Sequence, residues 1–312
     1  MTTPFTTDGI APLAHLGLIR ARGADAVTFL QGQLTNDVAG MALSQARLAG
    51  FCSAKGRLQA SFIVWKLADD ELLLACAASV LPAVLKRLSM FVLRAQCKLN
   101  DASAELRLLG ATGASAAALV GAAPAWGVRA APGGTLVRLP DVDGIARALL
   151  ALAPDAAPDV PAADLPADAW RLLDVRSGIP TIEAATVEQF VPQMLNYELI
   201  GGVDFQKGCY PGQEIVARSQ YRGTIKRRMF LFECDALARP GQEVFHSGDA
   251  SQPAGMVVNA APLPGGAGSA ALVEVKLAAL DSGELRLGSI DGAALRGAVL
   301  PYTVPHDTAL PA

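Results

Sequence analysis

GGVDFQKGCYPGQEIVARSQYRGTIKRRM, residues 201–229, holds the densest set of unusual features in this chain of 312 residues. Gly208 and Gly212 bracket Cys209 and Tyr210, and Pro211 fits the first turn of a helix, where its missing N–H has no helical partner to lose. The spacing predicts a helix from Pro211 to about Ser219, with Ile215 and Val216 on its buried side. Cys209 then stands at or just before a helix N-terminus, where free N–H groups and the helix dipole favour a thiolate over a thiol. Lys207, Arg218, Arg222, Lys226, Arg227 and Arg228 lie close in sequence and add positive charge. The competing reading makes Cys209 a small buried hydrophobe and the basic run a solvated face at a domain junction.

Downstream of this stretch the chain reads as short apolar runs, MFLFEC, EVFHSG, GMVVNAA, AALVEVKL and ELRLGS, cut by Gly- and Pro-containing turns. That pattern predicts a C-terminal antiparallel β-barrel over residues 226–312. Upstream, residues 13–38 read as a strand (LGLIRARG) followed by a helix from Asp25. SFIVWKLADDELLLAC reads as a hairpin turning at Asp69-Asp70-Glu71, and VLPAVLKRLSMFVL has helical spacing. The grammar then repeats: AELRLLGATG as strand, GASAAALVGAA as helix, GTLVRLPD as strand, GIARALLALA as helix. Two α+β lobes therefore make up a body over residues 1–225, with a Pro-rich linker near 154–168, PDAAPDVPAADLPAD.

Hydrophobic residues are 52% and charged residues 18% of the chain, enough apolar surface for a globular core. The net charge of −3 provides no global field to gather a polyanion, so no direct nucleic-acid binding is expected. The N-terminus lacks the pattern of a secretory signal and no window is apolar enough to span a bilayer; a cytoplasmic protein with no membrane partner is the expectation. Five widely spaced cysteines without a C-x-x-C pair argue against a disulfide framework or zinc knuckle, and His15, His246 and His306 show no paired-ligand spacing.

The string Lys207-Gly208-Cys209-Tyr210-Pro211-Gly212-Gln213-Glu214 resembles the K-G-C-[YF]-x-G-Q-E signature of the YgfZ-type folate-binding proteins. FLQGQLTNDV (29–38), CSAKGRL (52–58), SGIP (177–180) and FVPQMLNYELIGGVDF (190–205) resemble the same family in the same order. The resemblance implies a fold like the glycine-cleavage T-protein: α+β, two ferredoxin-like lobes and a C-terminal antiparallel β-barrel around a central folate channel. It implies tetrahydrofolate or a one-carbon derivative as cofactor. The implied partners are iron–sulfur enzymes or their assembly machinery, with an indirect effect on tRNA modification. Cys209 would be the reactive thiol, supported by Lys207 and Arg218.

Several positions depart from the T-protein pattern. Where the T-protein places an acidic pair in G-G-I-x-D-D, this chain has Ala60 and Ser61, and neither is a base at pH 7. Where T-protein relatives have R-[IL]-E-A-G with a pterin-holding Glu, this chain has Arg176, with Asp174 able to compensate from the same side of an extended strand. Trp170 matches a tryptophan that lines the folate site of the YgfZ-type branch, and the branch's other tryptophan falls at Leu16. Three readings follow: a folate-dependent accessory factor for iron–sulfur enzymes, a folate one-carbon (aminomethyl) transferase weakened by loss of the acidic pair, and a non-catalytic scaffold.

Overall fold

A computed structural model of the chain describes residues 7–161, 163–221 and 225–305. Arg222 and His306 lie outside these residues. The chain enters as β1 (Gly9–Pro12), then forms β2 (Leu16–Arg22), α1 (Ala26–Gln31), β3 (Ala46–Cys52), β4 (Leu58–Ala68), β5 (Glu71–Ala77), α2 (Leu81–Phe91) and β6 (Lys98–Asp101). An antiparallel sheet in the order β3-β4-β5-β2-β6 results. The hairpin between β4 and β5 turns at Asp69 and Asp70, both exposed. Helix α2 buries Leu81, Val84 and Leu88, an i, i+3, i+7 stripe, against one face of this sheet, and α1 adds Ala26, Phe29 and Leu30.

The second lobe runs β7 (Arg107–Thr112), α3 (Gly113–Val120), β8 (Val128–Ala131), β9 (Gly134–Val142) and β10 (Ile145–Leu152), and β1 returns to pair with β7. Its order is β1-β7-β10-β9-β8. The helix expected over GIARALLALA is instead strand β10. Leu149 and Ala151 face Leu18, Trp65 and Leu73 of the first sheet, while Ala148, Leu150 and Leu152 face Ala116 and Val120 of α3. Burial on both faces removes the alternation that marks a half-exposed strand, so the run reads as uniformly apolar. Each of its three fully buried leucines contributes about 1.5–3 kcal/mol. The two sheets thus pack face to face, with helices on their outer sides.

Residues 167–176, taken in sequence as the end of a linker and an extended strand, form helix α4 (Ala167–Arg176). Pro166 stands at its N-cap, and Asp168 in its first turn and Arg176 in its last suit the helix dipole. Helix α5 (Gln213–Tyr221) follows a long irregular stretch. The chain ends in β11 (Arg227–Cys234), β12 (Glu243–His246), β13 (Gly255–Pro262), β14 (Ser269–Lys276), β15 (Leu285–Leu287) and β16 (Arg296–Ala298), in the order β15-β12-β13-β14-β11-β16.

That last sheet curls back on itself. The residues just before β16 pair with β15, through Leu287 N–H to Ala293 O and Leu295 N–H to Leu285 O, while β16 pairs with β11. Val244, Val257, Val273 and Leu285 fill its inside, and Met229, Leu231 and Val258 pack outward on Leu172 and Val175 of α4. Helix α4 therefore wedges between the second sheet, through Trp170, and the barrel-like sheet. No helix among the described residues is long and apolar enough to cross a membrane.

Candidate functional site

The loop that carries Cys209 is pressed against the turn between β3 and β4. Gly212 has φ +81°, and a Cβ on it would come within 2.3 Å of the Ser53 carbonyl oxygen and 2.7 Å of Gly56 N. Gly56, at φ +69°, would in turn drive a Cβ to 2.8 Å from Ile215. The CSAKGRL and CYPGQE blocks meet backbone to backbone, which only glycine permits. The FLQGQLTNDV block joins the same layer. Thr35 donates to Gly202 O at 2.6 Å, and Asn36 donates to Gly201 O at 2.7 Å.

Within this layer Cys209 is exposed, whereas Cys52, Cys76 and Cys234 are buried and Cys97 is half-buried. Burial pushes the Cys52 and Cys76 thiols up to about 12. Helix α5 starts at Gln213, two residues later than the sequence pattern placed it, with Glu214 in its first turn. Arg218 occupies the last turn, roughly 7 Å along the axis from Gln213 and at the far end from Cys209. Lys207 is buried, its ammonium donating to the carbonyls of Gln31 and Leu34 at the end of α1 and lying 4.9 Å from the Tyr210 ring. Burial brings Lys207 down to about 8. Arg227 is held by Glu274 at 2.6 Å and Arg228 by the buried Glu198. Arg227 and Arg228 are each paired with a carboxylate, so these two add less to the field around the sulfur than the sequence alone implies. A Cβ on Gly208 would meet nothing within 4 Å, so that glycine meets no steric demand.

A separate cavity lies between the two lobes and α4. Its inner part, about 60 Å³, is lined by Leu16, Ser61, Trp126, Arg147, Trp170 and Asp174 among others. A second part of about 270 Å³ shares Asp174, Ile179 and Thr181 with it and reaches His15, Glu183 and Asn259. Together they reach the lower end of the roughly 300–1,000 Å³ usual for small-molecule sites. Cys209 lines neither part. The cavity and the thiol are thus two places in the molecule.

Trp170 is 1% exposed and its indole lies flat on Gly110 of β7, where a Cβ would be 2.3 Å from the ring. The guanidinium of Arg147 sits 4.8 Å from the ring centroid. Asp174 binds Arg147 Nη2, and His15 stands 3.9 Å from the same carboxylate. Asp174 and Arg176 do not share a side: helical residues two positions apart are about 200° apart around the axis. Arg176 points to Glu233 of the barrel at 3.2 Å and to Asp143 at 3.7 Å. On β4, Ser61 faces the cavity and accepts a hydrogen bond from Ile182 N–H at 2.9 Å, while Ala60 faces the core of the first lobe.

Arg147 was not singled out from sequence. Its signal was a lone charge inside an otherwise apolar run. Among the described residues no group of three or more His, Cys, Asp or Glu side chains is arranged to hold a metal ion.

The model of the GCVT N-terminal domain family matches residues 6–137. The "tRNA-modifying protein YgfZ" of Edwardsiella ictaluri is 32% identical over 275 residues, covering 77% of this chain and 78% of that protein. The protein of the same name from Photobacterium profundum is 33% identical over 237 residues, covering 72% and 69%. Among solved structures, the glycine cleavage system aminomethyltransferase T of Bartonella henselae superposes with a TM-score of 0.68 at 19% identity, covering 95% of this chain and 86% of that one. That likeness establishes the fold: α+β, T-protein-like, with two lobes and a C-terminal barrel-like sheet. Identity and coverage together place the chain in the YgfZ family of T-protein-like proteins.

Proposed function

We propose that this protein binds tetrahydrofolate or a one-carbon derivative in the cavity between the lobes and acts as an accessory factor in the assembly or repair of iron–sulfur enzymes. Its effect on tRNA modification, the activity for which its relatives are named, is then indirect. The observation that carries the folate reading is the set of buried polar atoms on the cavity wall that have no partner. Arg147 Nε, Arg147 Nη1 and Trp170 Nε1 are all unpaired. Such groups are costly to bury unless something meets them, and a heterocycle rich in acceptors meets them. Leu16, Trp126 and Trp170 provide the apolar wall, and Asp174 the carboxylate. A bound reduced folate supplies the capacity to carry a one-carbon unit. The protein's own groups bind it, orient it and exclude water.

Cys209 serves as the exposed thiol of the accessory function, on a loop fixed by the contact of Gly212 with the Ser53–Gly56 turn. Aminomethyl transfer has less support. The cavity-facing member of the replaced acidic pair is a serine, and its oxygen already accepts from Ile182 N–H. General acid–base groups contribute roughly 10²–10⁴-fold, so turnover of an aminomethyl-lipoyl carrier is expected near background.

Two assays on the full chain test the proposal. Calorimetric titration with tetrahydrofolate should give saturable heat; none at millimolar ligand removes the folate reading. A strain lacking the native protein should regain iron–sulfur enzyme activity under oxidative stress with the wild type and not with Cys209→Ser. Full rescue by Cys209→Ser transfers the role of this loop to a scaffold.

A further inference from the structure

The least economical side chain in the molecule is Arg147. It is 1% exposed, yet only Nη2 is hydrogen-bonded, to Asp174, leaving Nε and Nη1 unpaired on either side. Its position is built. Strand β10 shifts register against β9 between Ile145 and Arg147, an irregularity of the kind that re-aims a side chain. The guanidinium is packed by the Trp170 ring, and Trp170 in turn rests on Gly110, the one residue type that lets the indole come so close. Asp174 comes from α4, a third element. A strand irregularity, a glycine floor and a carboxylate clamp thus hold a cation that lines the cavity with two of its buried nitrogens unpaired. Trp170 Nε1, also unpaired, adds a further donor to the same wall.

An array of fixed donors discriminates by what it leaves unsatisfied. A ligand offering acceptors pairs them, and one offering donors leaves them buried and repelled. The pteridine ring of a reduced folate carries a carbonyl oxygen at C4, an acceptor. The 4-amino analogues, otherwise the same in shape, present an NH₂ there. Resting on the folate reading above, we infer that Arg147, positioned by Asp174, is the specificity-determining residue of the cavity. It donates to the C4 carbonyl of the pteridine, so the site selects 4-oxo over 4-amino folates. The Arg147–Asp174 pair thereby does the orienting work that Arg176, turned toward Glu233, is in no place to do.

The test compares tetrahydrofolate with its 4-amino counterpart, tetrahydroaminopterin, by calorimetry on the full chain. Wild type is expected to prefer the 4-oxo ligand by roughly 10–10²-fold, the scale that follows from leaving one buried donor unsatisfied. In Arg147→Met the preference should collapse to within about threefold of unity, since the donors are gone. Its melting temperature should fall less than a stranded carboxylate in the core would cause, because Asp174, left without its partner, is 36% exposed and can be hydrated. Arg147→Lys, which keeps the charge but not the planar fork, should fall between the two and also serves if the Met variant does not fold. An unchanged preference in folded Arg147→Met or Arg147→Lys overturns the inference and leaves folate binding intact. Failure of wild type to bind either ligand overturns both.

Discussion

Gly208 and Gly212 flank the same cysteine, and the backbone asks different things of them. Gly212 sits at φ +81° with carbonyl and amide atoms inside 3 Å of any Cβ; Gly208 has open space. Gly212→Ala should cost about 1–2 kcal/mol for the left-handed backbone and a further ~1–3 kcal/mol for overpacking. Gly208→Ala should stay within about 0.5 kcal/mol of wild type. Urea denaturation of both variants measures the contrast, and equal losses would remove the account of this loop. For Cys209, iodoacetamide labelling at pH 7 with mass-spectrometric readout should find it modified well before Cys52, Cys76, Cys97 and Cys234. It alone of the five is exposed, and burial raises the first two to about 12. Comparable labelling of Cys52 would contradict that order.

At the scale of elements, a buried ion pair joins β11 to the turn at residues 192–198, beside a hydrogen bond from Asn196 to Met229 O at 2.7 Å. Arg228 donates to Glu198 and to Gln193 O at 2.9 Å, and both side chains of the pair are 5% exposed. Burial pushes the Glu198 carboxyl above its ordinary value, and Arg228 offsets part of that. Arg228→Met strands a buried carboxylate and should cost about 3–5 kcal/mol at pH 7. The loss should shrink near pH 5, where Glu198 can take up a proton, and in the double variant Glu198→Gln/Arg228→Met. Thermal melts at the two pH values decide it.

How legible the elements were in sequence turns on the same physics. The stripe on α2 was plain because one face is buried and the other is not, whereas the β4–β5 hairpin, buried on both faces, was legible from the acidic turn at Asp69-Asp70 between its two apolar runs. Strand β10 was misread because both of its faces are buried, although Asp143-Gly144, both at positive φ, form the tight turn that such a dipeptide signals between strands. Helix α4 was hidden by the prolines before it, and with it the separation of Asp174 from Arg176. Arg147 could not be placed at all until β10 was a strand and its register known. By contrast Trp170, Leu16 and Ser61 reach the cavity wall from the positions that family resemblance gave them.

For the whole molecule, titration of buried groups sets the response to alkali. The folded-state values of Cys52 and Cys76 lie above those of the unfolded chain, near 9, so the folded state holds more protons between pH 9 and 12. The stability that these thiols contribute is full below about pH 9 and falls above it, by about 1.4 kcal/mol per pH unit for each thiol. Lys207, lowered from 10.5 to about 8, works in the opposite direction between those values. Two thiols outweigh one amine, so chemical denaturation should show a net loss of stability from pH 9 upward. Cys52→Ala should flatten that slope, and an unchanged slope in the variant would assign the loss elsewhere.

Two sheets packed face to face, a helix wedged against a curled third sheet, and a cavity where they meet form the frame on which the folate reading depends. Hydrogen exchange of the full chain with and without saturating tetrahydrofolate tests it most directly, because it reports both binding and place. Slowed exchange is predicted in the segments that wall the cavity, 58–63, 145–150 and 170–181, with the exposed 207–212 loop little changed. Exchange that is the same with and without ligand at millimolar concentration, or protection confined to the 207–212 loop, would contradict it.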